Sequence, residues 1–280
     1  MNKDSLGDRM KGYENAYRVY LPRRLPVIIR VDGRAFHTVT KCFERPFDTL
    51  FHNVMVQTAT ALCKEISGAK VAYTQSDEIS ILITNNDTID TQPWFGNNLQ
   101  KLVSLAASIA TLNFNNALEE EYHILSIFAE TDEDYEYLNG IYHNAWRHAT
   151  FDARAFVLPE DEVCNYFIWR QQDATRNSIQ AAAQALYSHK ELDNKNQNDL
   201  QEMIFQKGIN WNNYEVWQKR GSCIYKMPGT KIVTFMDKST NTLENKEVDV
   251  MEWREDKNIP IFSQARDYIN SFLPNNNMEE

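Results

Sequence analysis

The chain has 280 residues, 42% of them hydrophobic and 24% charged, enough for one large domain or two small ones and outside the ranges of disordered, collagenous or coiled-coil sequences. No apolar run reaches the roughly 18 residues of a membrane span, and Met1 to Asp8 has no apolar stretch, so neither a span nor a secretory signal is expected. The net charge of −10 argues against indiscriminate nucleic-acid binding, although 29 Lys and Arg remain available to line a local groove.

Pro26 to Asp32 is a β-branched run that predicts a strand ending at the turn signal Asp32-Gly33-Arg34. Asp48 is placed to cap a helix from Thr49, in which Leu50, Phe51, Val54, Thr58, Ala61, Leu62 and Ile66 recur at helical spacing, and Ser67-Gly68 ends it. Cys42 and Cys63 here, with Cys164 and Cys223 later, form no C-x-x-C pair; a reduced, cytoplasmic protein without structural zinc or disulfides is expected. Ala69–Thr74 and Ile79–Ile83, joined by Gln75-Ser76-Asp77-Glu78, predict a β-hairpin with two adjacent acids at its tip. A second helix is expected over Asn98–Leu118, an acidic, weakly periodic insertion over Glu119–Thr150, and a strand over Phe151–Leu158. The order β-α-β-β-α-β is the ferredoxin-like split βαβ arrangement, an antiparallel sheet with two helices on one face.

Beyond it, one long helix is expected from Pro159 to about Ser188 and another over Asn198–Lys207. Three short β-like stretches come next between Ser222 and Trp253, with a turn at Pro228-Gly229, and then a disordered tail over Asn275–Glu280. The expected class is therefore α+β. Residues 1–158 would form a catalytic domain with an N-terminal segment. Residues 159–280 would form a helical and β region packed on it as one compact unit.

In the split βαβ sheet the first strand lies beside the hairpin, which lets Asp32 and Asp77 approach each other. Two close carboxylates repel unless a cation lies between them, and carboxylate and carbonyl oxygens suit Mg²⁺ completed by substrate phosphates. The bland alternative, a turn acid and a solvated hairpin tip, is favoured by spacing alone. Gly33 lets backbone approach an ion or phosphate, and Arg34, Ala35, Phe36 and His37 could offer backbone N–H groups to it. Phe36 is either a stacking face or core, and His37 either a site residue or an ordinary surface histidine. Lys41, Arg45, Lys101 and Arg154 are candidates for triphosphate or RNA, as are Lys101 and Ser104 together on one helical face. Arg170, Asp173 and Asn177 also share a helical face, with an internal salt bridge as the alternative reading. No G-x-S-x-G, H-E-x-x-H or Walker pattern is present, and His143 and His148 miss the spacing of a helical metal pair.

Taken jointly, Ile29-Arg-Val-Asp-Gly-Arg-Ala-Phe-His37 and Tyr73-Thr-Gln-Ser-Asp-Glu-Ile-Ser80 resemble the tRNA-His guanylyltransferase family. Ser5-Leu-Gly-Asp-Arg-Met-Lys11, Lys101-Leu-Val-Ser104, Phe151-Asp-Ala-Arg154 and Trp169-Arg-Gln-Gln-Asp173 extend the resemblance in order along most of the chain. Eukaryotic members carry a His-Ile-Asn-Asn segment after Trp-Arg-Gln. Here Ala174-Thr-Arg-Asn-Ser-Ile179 stands in its place, which resembles the bacterial and archaeal guanylyltransferase-like branch.

The resemblance implies a polymerase-type palm that extends RNA in the 3′→5′ direction, templated by the opposite strand. The 5′ end of tRNA is activated by ATP or GTP and attacked by the 3′-OH of the incoming nucleotide. By motif, Asp32, the Gly33 carbonyl and Asp77 would hold two Mg²⁺ ions, with Glu78 contributing to catalysis. Residues 32–37, Ser76, Asp77, Lys101 and Ser104 would contact nucleotide. Lys41, Arg45, Arg154, Arg170, Arg176 and Asn177 would contact RNA or triphosphate. A homotetramer without a membrane partner is implied. The competing readings are a nucleotide cyclase or 5′→3′ polymerase on the same palm, and a non-catalytic RNA-binding protein.

Overall fold

The computed structural model describes residues 5–237 and 242–274. A first helix, α1 (Leu6–Asn15), is capped by the Ser5 hydroxyl, which accepts the Asp8 N–H, and buries none of its residues. The central unit comprises β1 (Val27–Gly33), α2 (Phe36–Val39), α3 (Thr49–Glu65), β2 (Ala69–Gln75), β3 (Glu78–Ile83), α4 (Leu99–Phe128), α5 (Asp132–Asn144) and β4 (Phe151–Val157). The remainder comprises α6 (Glu160–Gln184), α7 (His189–Leu192), α8 (Gln197–Gln206), α9 (Val216–Arg220), β5 (Ser222–Asp237), β6 (Thr242–Asp256) and α10 (Arg266–Asn270).

The strands form one antiparallel sheet in the order β4-β1-β3-β2-β5-β6. Its first four positions are the expected split βαβ order. Val27, Ile29 and Val31 of β1 and Ile79, Ile81 and Ile83 of β3 point into a core with α3 and α4. Ile28 and Leu82 point the other way, toward Val163 and Phe167 of α6. Both faces are thus covered, one more than expected, which is why these strands read as continuous apolar runs rather than alternating ones.

Asp48 caps α3 as expected, its carboxylate accepting the Phe51 N–H at 2.8 Å. The insertion is better ordered than its sequence suggests: α4 runs ten residues past Leu118 to Phe128, and α5 occupies Asp132–Asn144. The last turns of α4 leave Ile124, Ile127 and Phe128 exposed, so no core-facing periodicity marks them. A capping box, Thr131-Asp-Glu-Asp134, does mark the start of α5. The long helix α6 stops at Gln184, and α7 starts separately at His189 with its own capping box at Ser188.

Pro228-Gly229 makes no turn; it lies within β5, opposite Met251 and Val250 of β6. Only Ser222–Tyr225 of β5 pairs with β2, so the strand beyond has one neighbour, and a proline without an N–H costs no ladder bond on the open side. Two long strands therefore replace the three short ones. The tail from Asn275 lies outside the described residues.

Candidate active site

β1 delivers Asp32 to the end of the sheet where the β2–β3 hairpin turns. Asp32 lies in register with Glu78 on one side and Asp152 on the other. The Gly33 N–H donates to the Asp77 carbonyl at 3.0 Å, tying the turn after β1 to the hairpin tip. Both loops contain a non-glycine residue in left-handed backbone, Ala35 at φ 54° and Ser76 at φ 50°. Such conformations cost on the order of 1 kcal/mol each and cluster at functional sites.

Burial pushes the Asp77 carboxyl up to about 6, and the nearby Asp32 and Glu78 carboxylates push in the same direction. Asp32, Asp77 and the Gly33 carbonyl offer only hard oxygens, in a place where a second negative charge is penalised. That donor set fits Mg²⁺. Among the described residues no group of three or more His, Cys, Asp or Glu is arranged to hold an ion. The protein would thus supply two carboxylates and a carbonyl, leaving the remaining positions to water and phosphate.

Glu78 does not join that pair. It is buried, and its two oxygens accept from Nε and Nη2 of Arg170, each at 2.7 Å. Arg170 also donates to Asp173 at 3.0 Å, and Arg176 pairs with the same carboxylate. Glu78, expected to contribute to catalysis, and Arg170, a candidate for RNA or triphosphate with a salt bridge as the alternative reading, form a buried ion pair joining β3 to α6. Arg154 does stand at the site, with its guanidinium 3.8 Å from Asp32 and 3.6 Å from Asp152.

A cleft of about 400 Å³ opens on the Ser76 side of the hairpin, between the α2–α3 segment and α6. His37, Arg45, Ser76 and Asn177 line it, as do Phe47, His52 and Trp217. The His52 ring stacks on Trp217 at 4.0 Å, and its Nε2 meets Glu255 at 2.6 Å. Burial pushes the Glu255 carboxyl up, but the bond and charge of His52 outweigh it, and the group titrates below its ordinary range.

The tRNAHis guanylyltransferase family matches residues 7–159, more than half of the sequence. The chain belongs to the tRNA-His guanylyltransferase family. Guanylyltransferases are nucleotidyltransferases, and this chain is one of that class. A bacterial tRNA(His) guanylyltransferase (Thg1)-like protein in complex with ATP is 45% identical, with TM-score 0.77 over 96% of this chain and 98% of that one. A structure of such a protein with GTP gives 45% identity and TM-score 0.72, over 96% and 99%. The probable tRNA(His) guanylyltransferase of Dictyostelium discoideum is 27% identical over 82% of this chain and 88% of its own.

Several family motifs lie away from the carboxylates. Lys101 and Ser104 occupy the first turns of α4, next to Asn98, which pairs in an isolated bridge with Tyr20 ahead of β1. Thr111, whose hydroxyl accepts the Phe151 N–H beside Gly33, lies ten residues further on, roughly 15 Å along the helix. Lys101 instead sits 5.5 Å over the Phe95 ring. Phe36 is core, buried against Phe51, Phe114 and Phe151, and its ring explains Gly33: a Cβ there would fall 2.3 Å from it. The Arg34 N–H is already donated to the Thr150 carbonyl, so it offers nothing to phosphate. The side chain of Arg34 and Ala35 line a separate hollow, and Lys41 borders another. Phe47, His52 and Trp217 escaped sequence reading, because Trp217 meets the others only through the tertiary fold.

Proposed function

We infer that this family member is a template-dependent 3′→5′ nucleotidyltransferase that restores nucleotides at the 5′ end of tRNA, with two Mg²⁺ ions held by Asp32, Asp77 and the Gly33 carbonyl. The observation that carries the reading is the Asp32–Asp77 pair, whose two loops are tied by the Gly33–Asp77 hydrogen bond, with Ser76, the residue before Asp77, lining a cleft of about 400 Å³. Bound divalent ions would stabilise the charge that develops on attacking and leaving oxygens. The chain's own part is positional. The cleft orients a nucleoside triphosphate between its aromatic wall and His37, Ser76 and Asn177. Arg154, bridging Asp32 and Asp152, is placed to exchange one carboxylate for a phosphate oxygen.

The 45% identity to proteins solved with ATP and with GTP supports both nucleotides as substrates. The missing His-Ile-Asn-Asn segment supports templating over anticodon reading, since pairing with the opposite strand selects the nucleotide while protein holds backbone. Leu6, Met10 and Tyr13 lie exposed along one face of α1, which supports assembly with further copies and the homotetramer of the family. Four cysteines without disulfides fit a reduced, cytoplasmic setting. No helix among the described residues is long and apolar enough to cross a membrane.

The test supplies 5′-truncated tRNAs with each templating base, Mg²⁺, and one triphosphate at a time. Extension by the complementary nucleotide on several tRNAs is expected. Addition of G alone, whatever the template and only on tRNA with the His anticodon, would replace general repair by tRNA-His maturation. A cyclic nucleotide product would turn the palm into a cyclase.

A further inference from the structure

One wall of the nucleotide cleft, Phe43 to Asp48, belongs to no helix or strand. Asp48 closes this segment on itself. One of its carboxylate oxygens accepts the Glu44 N–H at 2.8 Å, and the other accepts the Phe51 N–H at 2.8 Å. A further bond comes from outside: the Tyr137 hydroxyl, 89 residues on in α5, donates to the oxygen that holds Glu44, at 2.7 Å. α5 is a firm support for it. Ile141 sits in the main core, Leu138 is buried, and Gly140 lies so close to the turn before the segment that a Cβ there would fall 2.8 Å from the Cβ of Cys42. Tyr137 is not among the residues that line the cleft; it borders a separate hollow with Lys41 and Glu136. Burial, and then the Asp48 charge, push its phenol well above the ordinary value, so it remains a donor.

We propose that Tyr137 is a positioning residue for nucleotide binding: its hydroxyl fixes the Asp48 carboxylate and, through it, the Glu44–Asp48 wall of the cleft; this rests on the reading of that cleft as the nucleoside triphosphate site. The physics is preorganisation. A segment outside regular structure that is free to move must be ordered when a nucleotide arrives, and the ordering is subtracted from affinity. A hydrogen bond to an ionised carboxylate is stronger than a neutral one, so the bond from α5 does much of that ordering in advance. The segment also carries Phe47, whose ring meets Tyr214 at 5.1 Å and Trp217 at 6.4 Å edge-on. The position of Asp48 thereby sets the aromatic side of the cleft as well. The insertion between the second helix of the palm and its last strand acts as a brace for the nucleotide wall, although Tyr137 makes no contact with the nucleotide itself.

The test measures ATP affinity without RNA, and KM and kcat for nucleotide addition, in wild type, Tyr137→Phe, Asp48→Asn and the double variant. Tyr137→Phe keeps the ring and should weaken ATP binding and raise its KM about fivefold, with kcat within about twofold of wild type, because binding and not the chemical step is affected. Asn still caps α3 but loses one acceptor oxygen, so Asp48→Asn should also weaken binding. Adding Tyr137→Phe to it should then change little, since the hydroxyl acts through that carboxylate. Tyr135→Phe removes an exposed hydroxyl from the same helix, bonded to the Ala129 carbonyl, and should leave ATP affinity unchanged. In wild type, ATP should slow amide exchange in α5 around Tyr137 as well as at Glu44 and Phe51, because coupling between sites is reciprocal. Wild-type ATP affinity in Tyr137→Phe, an equal loss with and without Asp48→Asn, or no response of α5 to ATP would overturn the brace. A wild-type protein that binds neither ATP nor GTP would instead overturn the nucleotide cleft on which it rests.

Discussion

Replacing Arg170 with Met tests the strongest electrostatic element of the structure. Arg170 and Glu78 are 6% and 8% exposed, and two 2.7 Å hydrogen bonds join them. Met fills similar volume but leaves the Glu78 carboxylate buried, with the Arg30 Nε 4.0 Å away as the nearest remaining cation. Breaking a buried pair on one side costs about 3–5 kcal/mol, a large part of the roughly 5–15 kcal/mol that holds a folded domain. Lys should recover only part of it, since a point charge cannot reproduce the two-pronged contact. The double variant Glu78→Gln with Arg170→Met removes both charges and should recover most of the loss. Urea unfolding, read as a shift in midpoint at constant slope, measures each term. An Arg170→Met protein within about 1 kcal/mol of wild type, or a double variant no better than the single, would refute the assignment of Glu78 to a structural pair.

Chelated protein should show the cost of burying the Asp77 carboxylate beside Asp32 directly. The Asp77 carboxyl is raised from 3.8 to about 6, so the stability it contributes is complete below about pH 4 and is lost as pH rises through 6. Asp77→Asn should therefore gain on wild type with rising pH, by at most about 3 kcal/mol, and lose nucleotide addition; a gain equal at about pH 4.5 and 7.5 in thermal unfolding would contradict this. Gly33→Ala should drive a Cβ into the Phe36 ring and destabilise by about 1–3 kcal/mol, measured by denaturant unfolding, with Phe36→Leu as partial rescue. Trp217→Ala should remove the ring stacked on His52 and raise the KM for ATP about tenfold with little change in tRNA affinity, as read by steady-state kinetics.

How far each feature was legible in the sequence depends on the range over which its signal acts. The strand ending at Asp32, the capped helix from Thr49 and the hairpin with Asp77 at its tip rest on contacts within a few residues, and all appear in the structure. Glu78 was not legible, because its partner Arg170 lies 92 residues away on a helix that covers the second sheet face. Locally, Glu78 is simply the acid beside Asp77. The strand alternation gives the physical reason for their divergence: Glu78 begins β3 and faces α6, whereas Asp77 belongs to the turn. Arg170 shows both scales at once, with its bond to Asp173 predictable from helical spacing and its bond to Glu78 not. The same limit separates Lys101 and Ser104 from the carboxylates, since a motif records order along the chain while α4 carries it toward the far end of the sheet. Among the described residues, Arg154 is the cation paired with Asp32, from the neighbouring strand β4, while the long helix α6 engages this group of acids through the Arg170–Glu78 pair.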